Sequence, residues 1–164
     1  MSDSPGEAND MMTIIAFSGD LDRLWPTTIL ASTAAANGMD VTIFATFWGL
    51  FPLVKPGEKI GHDAMTKMLG GMNPPSFGKA KLSKLNMGGM GKWMMRKVAA
   101  KNALLPPEDL FEMSLDMGVK VWPCQMTMDL LGIRADQMLP GLGEPAGAAT
   151  ALARMSKSEI SLFI

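Results

Sequence analysis

Two nearly continuous apolar runs on either side of a helix-forming stretch constrain the fold of this chain most strongly. Residues Met11–Phe17 (MMTIIAF) and Asp40–Thr46 (DVTIFAT) have the composition of strands that are covered on both faces. Between them, Asp20 or Asp22 can cap a helix that Gly38 ends. Strand, helix and strand within about 35 residues form a βαβ unit, so we expect a parallel sheet.

The C-terminal part of the chain continues this alternation. We expect, in order, a helix, a strand, two helices and a strand, at Pro106–Met117, Val119–Trp122, Gln125–Leu131, Gly147–Met155 and Glu159–Phe163. This order predicts a single α/β domain over residues 11–164, with a mostly parallel sheet and helices on both faces. Residues 1–10 are polar and acidic, and we expect a flexible N-terminus there.

A basic segment rich in methionine and glycine, at about residues 55–104, interrupts the pattern as an insertion. From Lys55 to Lys101, ten Lys or Arg residues stand against two acidic residues, a local net charge of +8, and seven of the chain's 17 methionines lie there. Helical turns are expected at His62–Leu69 and Gly91–Asn102. The insertion is either a solvated surface or a docking surface for an acidic partner or an anionic membrane, and the sequence leaves both open.

Composition excludes several classes of function. A net charge of −1 rules out the strongly basic balance of a nucleic-acid-binding domain for the chain as a whole. The longest apolar stretch, Val41–Val54, is shorter than the roughly 20 residues of a membrane-spanning helix. The N-terminus lacks the apolar core of a secretory signal, and a single cysteine forms no disulfide within the chain. We therefore expect a cytoplasmic protein.

Cys124, the only cysteine, lies where a predicted strand ends and a helix begins. Chemistry in open α/β sheets collects at the carboxyl ends of strands, and N–H groups at a helix start favour thiolate over thiol. Cys124 and the only histidine, His62, cannot complete a zinc site, and C-x-x-C is absent. An isolated thiolate suits the carriage of sulfur as a persulfide. A buried structural cysteine and a sulfenic acid sensor are the alternatives.

The other candidate site residues are expected at the same sheet edge. The loop Ser18-Gly19-Asp20 follows the first strand and suits an anion pocket, although helix capping is its ordinary role. Phe47 and Trp48 follow the second strand and suit an apolar wall that shields a persulfide, although core packing explains them equally well. Gln125 and Met126 follow Cys124 directly and complete the expected substrate-binding set. Neither G-x-G-x-x-G nor a Walker A sequence occurs, so we expect no cofactor.

Three blocks of sequence carry a resemblance to a known family. They are Thr42–Leu50 (TIFATFWGL), Lys84–Gly91 (KLNMGGMG) and Cys124–Ile133 (CQMTMDLLGI). With these blocks in this order, nearly the whole chain from Met11 onward resembles the DsrE/DsrF-like sulfur-carrier family. The similarity is greatest to the single-chain branch with a Met-rich insertion.

The resemblance implies a sheet of about five strands and homo-oligomers, either trimers, tetramers or hexamers. It also implies a sulfurtransferase role, in which Cys124 accepts persulfide or thiosulfonate sulfur and passes it to a partner thiol in sulfur oxidation or sulfur relay. The implied partners are a TusA-like sulfur carrier protein and a rhodanese-like donor. Some relatives carry a second cysteine where this chain has Phe17-Ser18, which favours a one-thiol carrier here. The alternative is a non-catalytic interaction or peripheral membrane-docking protein that uses the insertion.

Overall fold

Four strands run parallel in one sheet in the computed structural model, which describes residues 10–73 and 75–164. The strands are β1 (Met11–Ala16), β2 (Asp40–Ala45), β3 (Lys120–Pro123) and β4 (Ile160–Phe163), in the spatial order β3-β2-β1-β4. Each strand matches a predicted one to within a residue or two. The predicted flexibility of residues 1–10 falls, apart from Asp10, outside the described residues.

Six α-helices connect the strands in the described part of the chain. They are α1 (Leu21–Ala36), α2 (Ala64–Met72), α3 (Met90–Lys101), α4 (Pro107–Asp116), α5 (Gln125–Leu131) and α6 (Ala148–Met155). A 3₁₀ helix, Phe47–Leu53, follows β2 and occupies the second half of the apolar stretch Val41–Val54. The two helical turns predicted in the insertion correspond to α2 and α3.

The two faces of the sheet are covered by different helices. Because successive side chains of a strand point to opposite faces, Ile14 and Ile15 enter different clusters. Ile14 belongs to the main core, to which α1 and α4 also contribute. Ile15 and Phe44 belong to a small second cluster together with Cys124 and Ala151 of α6. The predicted single α/β domain with helices on both faces is confirmed.

The expected fifth strand is not present among the described residues, and two prolines explain why. Residues 143–146 run beside β3, where N–H groups of Gly143 and Ala146 donate to carbonyls of Val121 and Pro123 at 2.8 and 2.9 Å. Pro123 and Pro145 have no N–H to donate, so a regular ladder cannot form. The fifth strand is reduced to one isolated parallel bridge, Cys124 to Ala146.

The insertion packs against the N-terminal half of α1. The Leu21 N–H donates to the Lys81 carbonyl at 2.8 Å, and the Ser83 N–H donates to the Asp22 carboxylate at 2.8 Å. Farther along α1, the indole N–H of Trp25 donates to the Leu105 carbonyl at 2.9 Å. Hydrogen bonds to α1 therefore hold the insertion in the segment after α2, at Lys81 and Ser83, and just past its C-terminal end, at Leu105.

Candidate functional site

Cys124 is fixed by backbone hydrogen bonds at the carboxyl edge of the sheet. Its N–H donates to the Ala45 carbonyl at the end of β2, at 2.8 Å. The next N–H, of Gln125, donates to the Ala146 carbonyl at 3.0 Å. Cys124 is the N-cap of α5, as the strand-to-helix position predicted. The backbone that carries the thiol is therefore held from both sides.

The Cys124 side chain is buried, with 6% of its surface exposed, among Ile15, Phe44 and Ala151. Burial is the largest single influence on its pKa and raises it, because an apolar environment disfavours the thiolate. Hydrogen-bond donors outweigh burial: the Thr127 hydroxyl and N–H, the Thr46 hydroxyl and the Met126 N–H together lower the pKa of Cys124 below its ordinary value. The Cys124 side chain makes no capping hydrogen bond to α5.

Two threonine hydroxyls beside the sulfur are site residues that the sequence analysis missed. Thr46 follows β2 and Thr127 lies three residues after Cys124 on α5, and their Oγ1 atoms are 3.1 Å apart. The Phe47 N–H donates to Thr127 Oγ1 at 3.3 Å. One signal was available: a side chain at the N-cap position and one at the third helical position face each other at helix starts.

The loop Ser18-Gly19-Asp20 satisfies its own polar groups. The Ser18 hydroxyl donates to Asp20 Oδ2 at 3.0 Å, and the Asp20 N–H donates to Ser18 Oγ at 3.1 Å. Gly19 lies against the carbonyl oxygen of Trp48, and a Cβ at position 19 would collide with that atom. Asp20 is the N-cap residue of α1, but its side chain makes no capping hydrogen bond to the helix. The loop therefore acts in close packing.

Phe47 and Trp48, expected to form one wall beside the thiol, lie in different surroundings. Phe47 is exposed and its ring lies 5.9 Å from that of Phe17, which in turn lies 5.8 Å from that of Phe163. Trp48 packs on Phe51, with the rings 5.3 Å apart.

Trp48 also lines a cavity of about 330 Å³ at the same sheet edge. Its lining comes from the loop after β1, from Trp48 and from the end of α2: Gly19, Asp20, Trp48, Leu69, Met72 and Asn73. Cys124 does not line this cavity. The cavity thus brings Gly19 and Asp20 together with Trp48, while Phe47 alone is connected to the thiol, through Thr127.

Gln125 and Met126 are both exposed on α5 beside the thiol. The Gln125 side-chain amide donates to the Asp129 carboxylate at 2.8 Å, which turns it along the helix surface. The Met126 side chain is 74% exposed, and its contribution to the site is the backbone N–H that favours the thiolate. Exposed methionine is flexible and polarisable, which suits contact with a partner protein.

His62 lies at the far end of α5 from Cys124. Its backbone N–H nitrogen and Nδ1 are next to Gly132, which ends α5, whereas Cys124 begins that helix. Seven helical residues separate the two ends, about 10 Å of helix, so the pair cannot act as a catalytic dyad. No group of three or more His, Cys, Asp and Glu residues in residues 10–73 and 75–164 is placed to hold a metal ion.

Within residues 10–73 and 75–164, no helix combines the length and apolar character required to cross a membrane.

Comparison with known proteins gives a family match over nearly the whole chain. The model of the DsrE/DsrF/DrsH-like family matches residues 8–163. This chain belongs to the DsrE/DsrF/DrsH-like family. The resemblance seen in the three sequence blocks is thereby confirmed.

Two curated relatives of this family member cover almost its full length. One, named uncharacterized protein YrkE, from Bacillus subtilis, is 40% identical over 159 residues, which are 96% of this chain and 99% of the relative. Another, named sulfur carrier protein DsrE2, from Allochromatium vinosum, is 35% identical over 157 residues, 93% of this chain and 97% of the relative.

Among solved structures, the ychN protein from E. coli has the same fold as this DsrE-like chain. The TM-score is 0.55 at 12% sequence identity, over 94% of this chain and 98% of that one. At this identity the similarity establishes the fold alone, which agrees with the parallel α/β architecture described above.

Proposed function

We propose that this protein is a sulfur carrier with sulfurtransferase activity that holds sulfane sulfur on Cys124 and passes it to a partner thiol. The single observation that carries the proposal is the set of donors around a buried sulfur, which lowers the pKa of Cys124 despite its burial. Family membership and the relative named sulfur carrier protein DsrE2 support a role in sulfur relay.

The proposed reaction is two exchanges at a sulfane sulfur. The Cys124 thiolate attacks the outer sulfur of a donor persulfide, R–S–SH, forming Cys124–S–SH and releasing R–S⁻. An acceptor thiolate then attacks the outer sulfur of Cys124–S–SH, taking it as R′–S–SH and returning the Cys124 thiolate. No net oxidation occurs, and a lowered pKa raises the thiolate fraction available for the first attack while making Cys124 a better leaving group in the second.

Burial of the thiol restricts the donors that can react. With 6% of Cys124 exposed, sulfur must arrive on a slender group, as at the end of a persulfide. We propose a rhodanese-like donor and a TusA-like sulfur carrier protein as partners, in sulfur oxidation or sulfur relay. A carrier that must keep its one thiol reduced also fits the cytoplasm.

Exposed apolar side chains support the proposal of a homo-oligomer, either a trimer, tetramer or hexamer. The exposed rings of Phe17, Phe47 and Phe163 adjoin one another, and α5 and α6 also carry exposed apolar side chains, namely Met126, Leu130 and Leu152. Apolar patches of this kind commonly mark protein contacts. Sedimentation velocity of the native protein and of Phe163→Asp will test this: an assembled native protein that the substitution dissociates is expected, and a native monomer would refute it.

Intact-mass spectrometry tests the sulfur-carrier proposal directly. Reduced protein is incubated with polysulfide or tetrathionate, the reagent is removed, and Cys124→Ser serves as the matched control. We expect the native protein alone to gain about 32 Da as persulfide or about 112 Da as thiosulfonate. Loaded protein mixed with a TusA-like carrier should then lose this mass. Equal gain by Cys124→Ser, or no gain by a native protein whose thiol reacts with iodoacetamide, would refute the proposal.

A second candidate function, peripheral membrane docking through the insertion, is favoured by the surface of α3. This helix of 12 residues buries only Ala99, so its apolar side chains face solvent, with Trp93 57% exposed. Lys97 Nζ lies 4.3 Å from the centre of the Trp93 ring, which places a cation beside the exposed aromatic. A basic surface with exposed aromatic and methionine side chains suits an anionic bilayer.

Co-sedimentation with vesicles tests the docking candidate. The native protein should bind vesicles containing phosphatidylglycerol and not those of phosphatidylcholine alone. Salt at 0.5 M should weaken this binding, because salt screens charge and the Debye length falls to about 3 Å at 1 M. Trp93→Ala and Lys97→Glu should reduce binding. Lys157→Glu, which makes the same change of charge after α6, should not. Absence of binding to the anionic vesicles would refute this function and leave the sulfur proposal untouched.

A further inference from the structure

The hydroxyl pair beside Cys124 has one proton more than its own hydrogen bond uses. Thr46 Oγ1 and Thr127 Oγ1 lie 3.1 Å apart, so one hydroxyl donates to the other. Thr127 Oγ1 already accepts the Phe47 N–H at 3.3 Å. Each hydroxyl has one proton to donate, and only one of the two is consumed between them. Whichever threonine donates to its neighbour, the other keeps a free proton.

The free proton is shielded from water on the Thr127 side. Thr127 is 2% exposed and Thr46 is half-buried, so water does not readily take the proton from the Thr127 side. The two hydroxyls come from different elements that meet at Cys124: Thr127 lies three residues after it on α5, and Thr46 follows Ala45, whose carbonyl accepts the Cys124 N–H. Both hydroxyls lower the pKa of Cys124. A buried donor that lacks an acceptor is costly, and the neighbouring sulfur of Cys124 can accept this proton.

The backbone at Phe47 is shaped to keep this pair in place. Phe47 has φ 46°, in the left-handed region that a bulky side chain rarely occupies. The N–H of this residue is the one that donates to Thr127 Oγ1. Strain of this kind persists only where the surroundings hold it, and it gathers at functional sites.

We propose that Thr46 and Thr127 are positioning residues that together aim one hydroxyl proton at the sulfur bound to Cys124. This inference rests on the proposed function for its purpose, since the same proton would stabilise a thiolate awaiting sulfur and the terminal sulfur of a persulfide. Whichever threonine donates to the other, the pair keeps one spare proton beside Cys124.

Neighbouring charges do not account for the state of the thiol. The five largest influences on the pKa of Cys124 are burial and hydrogen-bond donors, with no charged side chain among them. The charged residues of the elements packed around Cys124 include Asp129, which accepts from Gln125, and the exposed Glu144. Arg154 of α6 is paired at 2.8 Å with Asp40, at the opposite edge of the sheet. Removing one of the two hydroxyls therefore removes one of the main influences that lower the pKa of Cys124.

The test measures the thiol itself, apart from any sulfur transfer. Rates of iodoacetamide alkylation are recorded from pH 5 to 10 for the native protein and for Thr127→Val, Thr127→Ser and Thr46→Val. Thr127→Val should raise the midpoint of the pH–rate profile by about one pKa unit. At neutral pH this leaves up to about tenfold less thiolate. Thr127→Ser, which keeps the hydroxyl, should stay within about 0.3 units of the native protein. If Thr127→Val does not fold, Thr46→Val carries the test, because it leaves the Phe47 N–H its acceptor.

Sulfur loading is measured on the same proteins at neutral pH and at pH 9.5. We expect the Thr→Val variants to load slowly at neutral pH and at nearly the native rate at pH 9.5. An unchanged midpoint in both Val variants would overturn this inference while native loading still upheld the carrier function. A raised midpoint in a protein that never loads sulfur would uphold the hydroxyl pair and refute the carrier function.

Discussion

Replacing Gly49 by alanine should destabilise the carboxyl edge of the sheet. A Cβ at position 49 would overlap the Ala16 carbonyl oxygen and would lie 2.8 Å from its carbon, at least about 0.7 Å inside ordinary contact. Both partners are backbone, so no side chain can turn away. The Gly49 N–H donates to the Phe17 and Thr46 carbonyls at 3.0 and 2.9 Å, and moving the loop stretches both bonds.

Each of these bonds contributes about 0.5–1.5 kcal/mol, and overpacking against rigid neighbours adds about 1–3 kcal/mol. We therefore expect Gly49→Ala to lower the free energy of unfolding by about 2–6 kcal/mol in urea titration. Gly71→Ala is the matched control: nothing lies within 4 Å of its added Cβ, and α2 should gain about 0.5–1 kcal/mol. A Gly49→Ala protein within about 0.5 kcal/mol of the native protein would refute the argument.

Further predictions concern other parts of the fold. Burial raises the pKa of Asp40, but hydrogen bonds from Arg154 and Lys120 outweigh it and lower that pKa. This stabilisation is present above about pH 4 and is lost as the pH falls through the folded pKa. The native protein should therefore be more stable than Asp40→Asn by about 0.5–1 kcal/mol at pH 7. In urea titrations this difference should vanish near pH 2. Trp25→Phe removes the bond to the Leu105 carbonyl and should cost about 0.5–1.5 kcal/mol, with faster trypsin cleavage of the insertion; unchanged cleavage would contradict this.

The sheet could be predicted from sequence because its strands are apolar runs whose lengths and caps are local signals. Met11–Phe17 and Asp40–Thr46 are both nearly continuous; Ser18 follows the first and Thr46 ends the second, so their positions follow without tertiary information. The reduction of the expected fifth strand to a single bridge could not be predicted in this way. Gly143 and Ala146 bond to β3, yet Pro145 interrupts them, and only the fold brings that segment to the edge.

The site was predictable at Cys124 and less so around it. A lone cysteine between strand and helix is a strong local signal. Thr127 carries only the weak signal of its third helical position after Cys124, and Thr46 carries none, because threonine is common in strands and at helix starts. Their meeting depends on the pairing of β2 with β3. Trp48 was assigned beside the thiol from its place after β2, but the 3₁₀ helix turns it toward Gly19 and α2.

The backbone at Cys124 is held by hydrogen bonds on both sides, and this has a consequence for how partner proteins recognise a sulfur carrier. Cys124 and Gln125 donate to carbonyls on opposite sides, at Ala45 and Ala146, so an added sulfur atom must be accommodated by side-chain rotation. The empty and loaded proteins would then present almost the same outer shape. A donor and an acceptor could not tell the two states apart at a distance. Direction of transfer would be decided only after docking, by the relative leaving ability of the thiols that meet there.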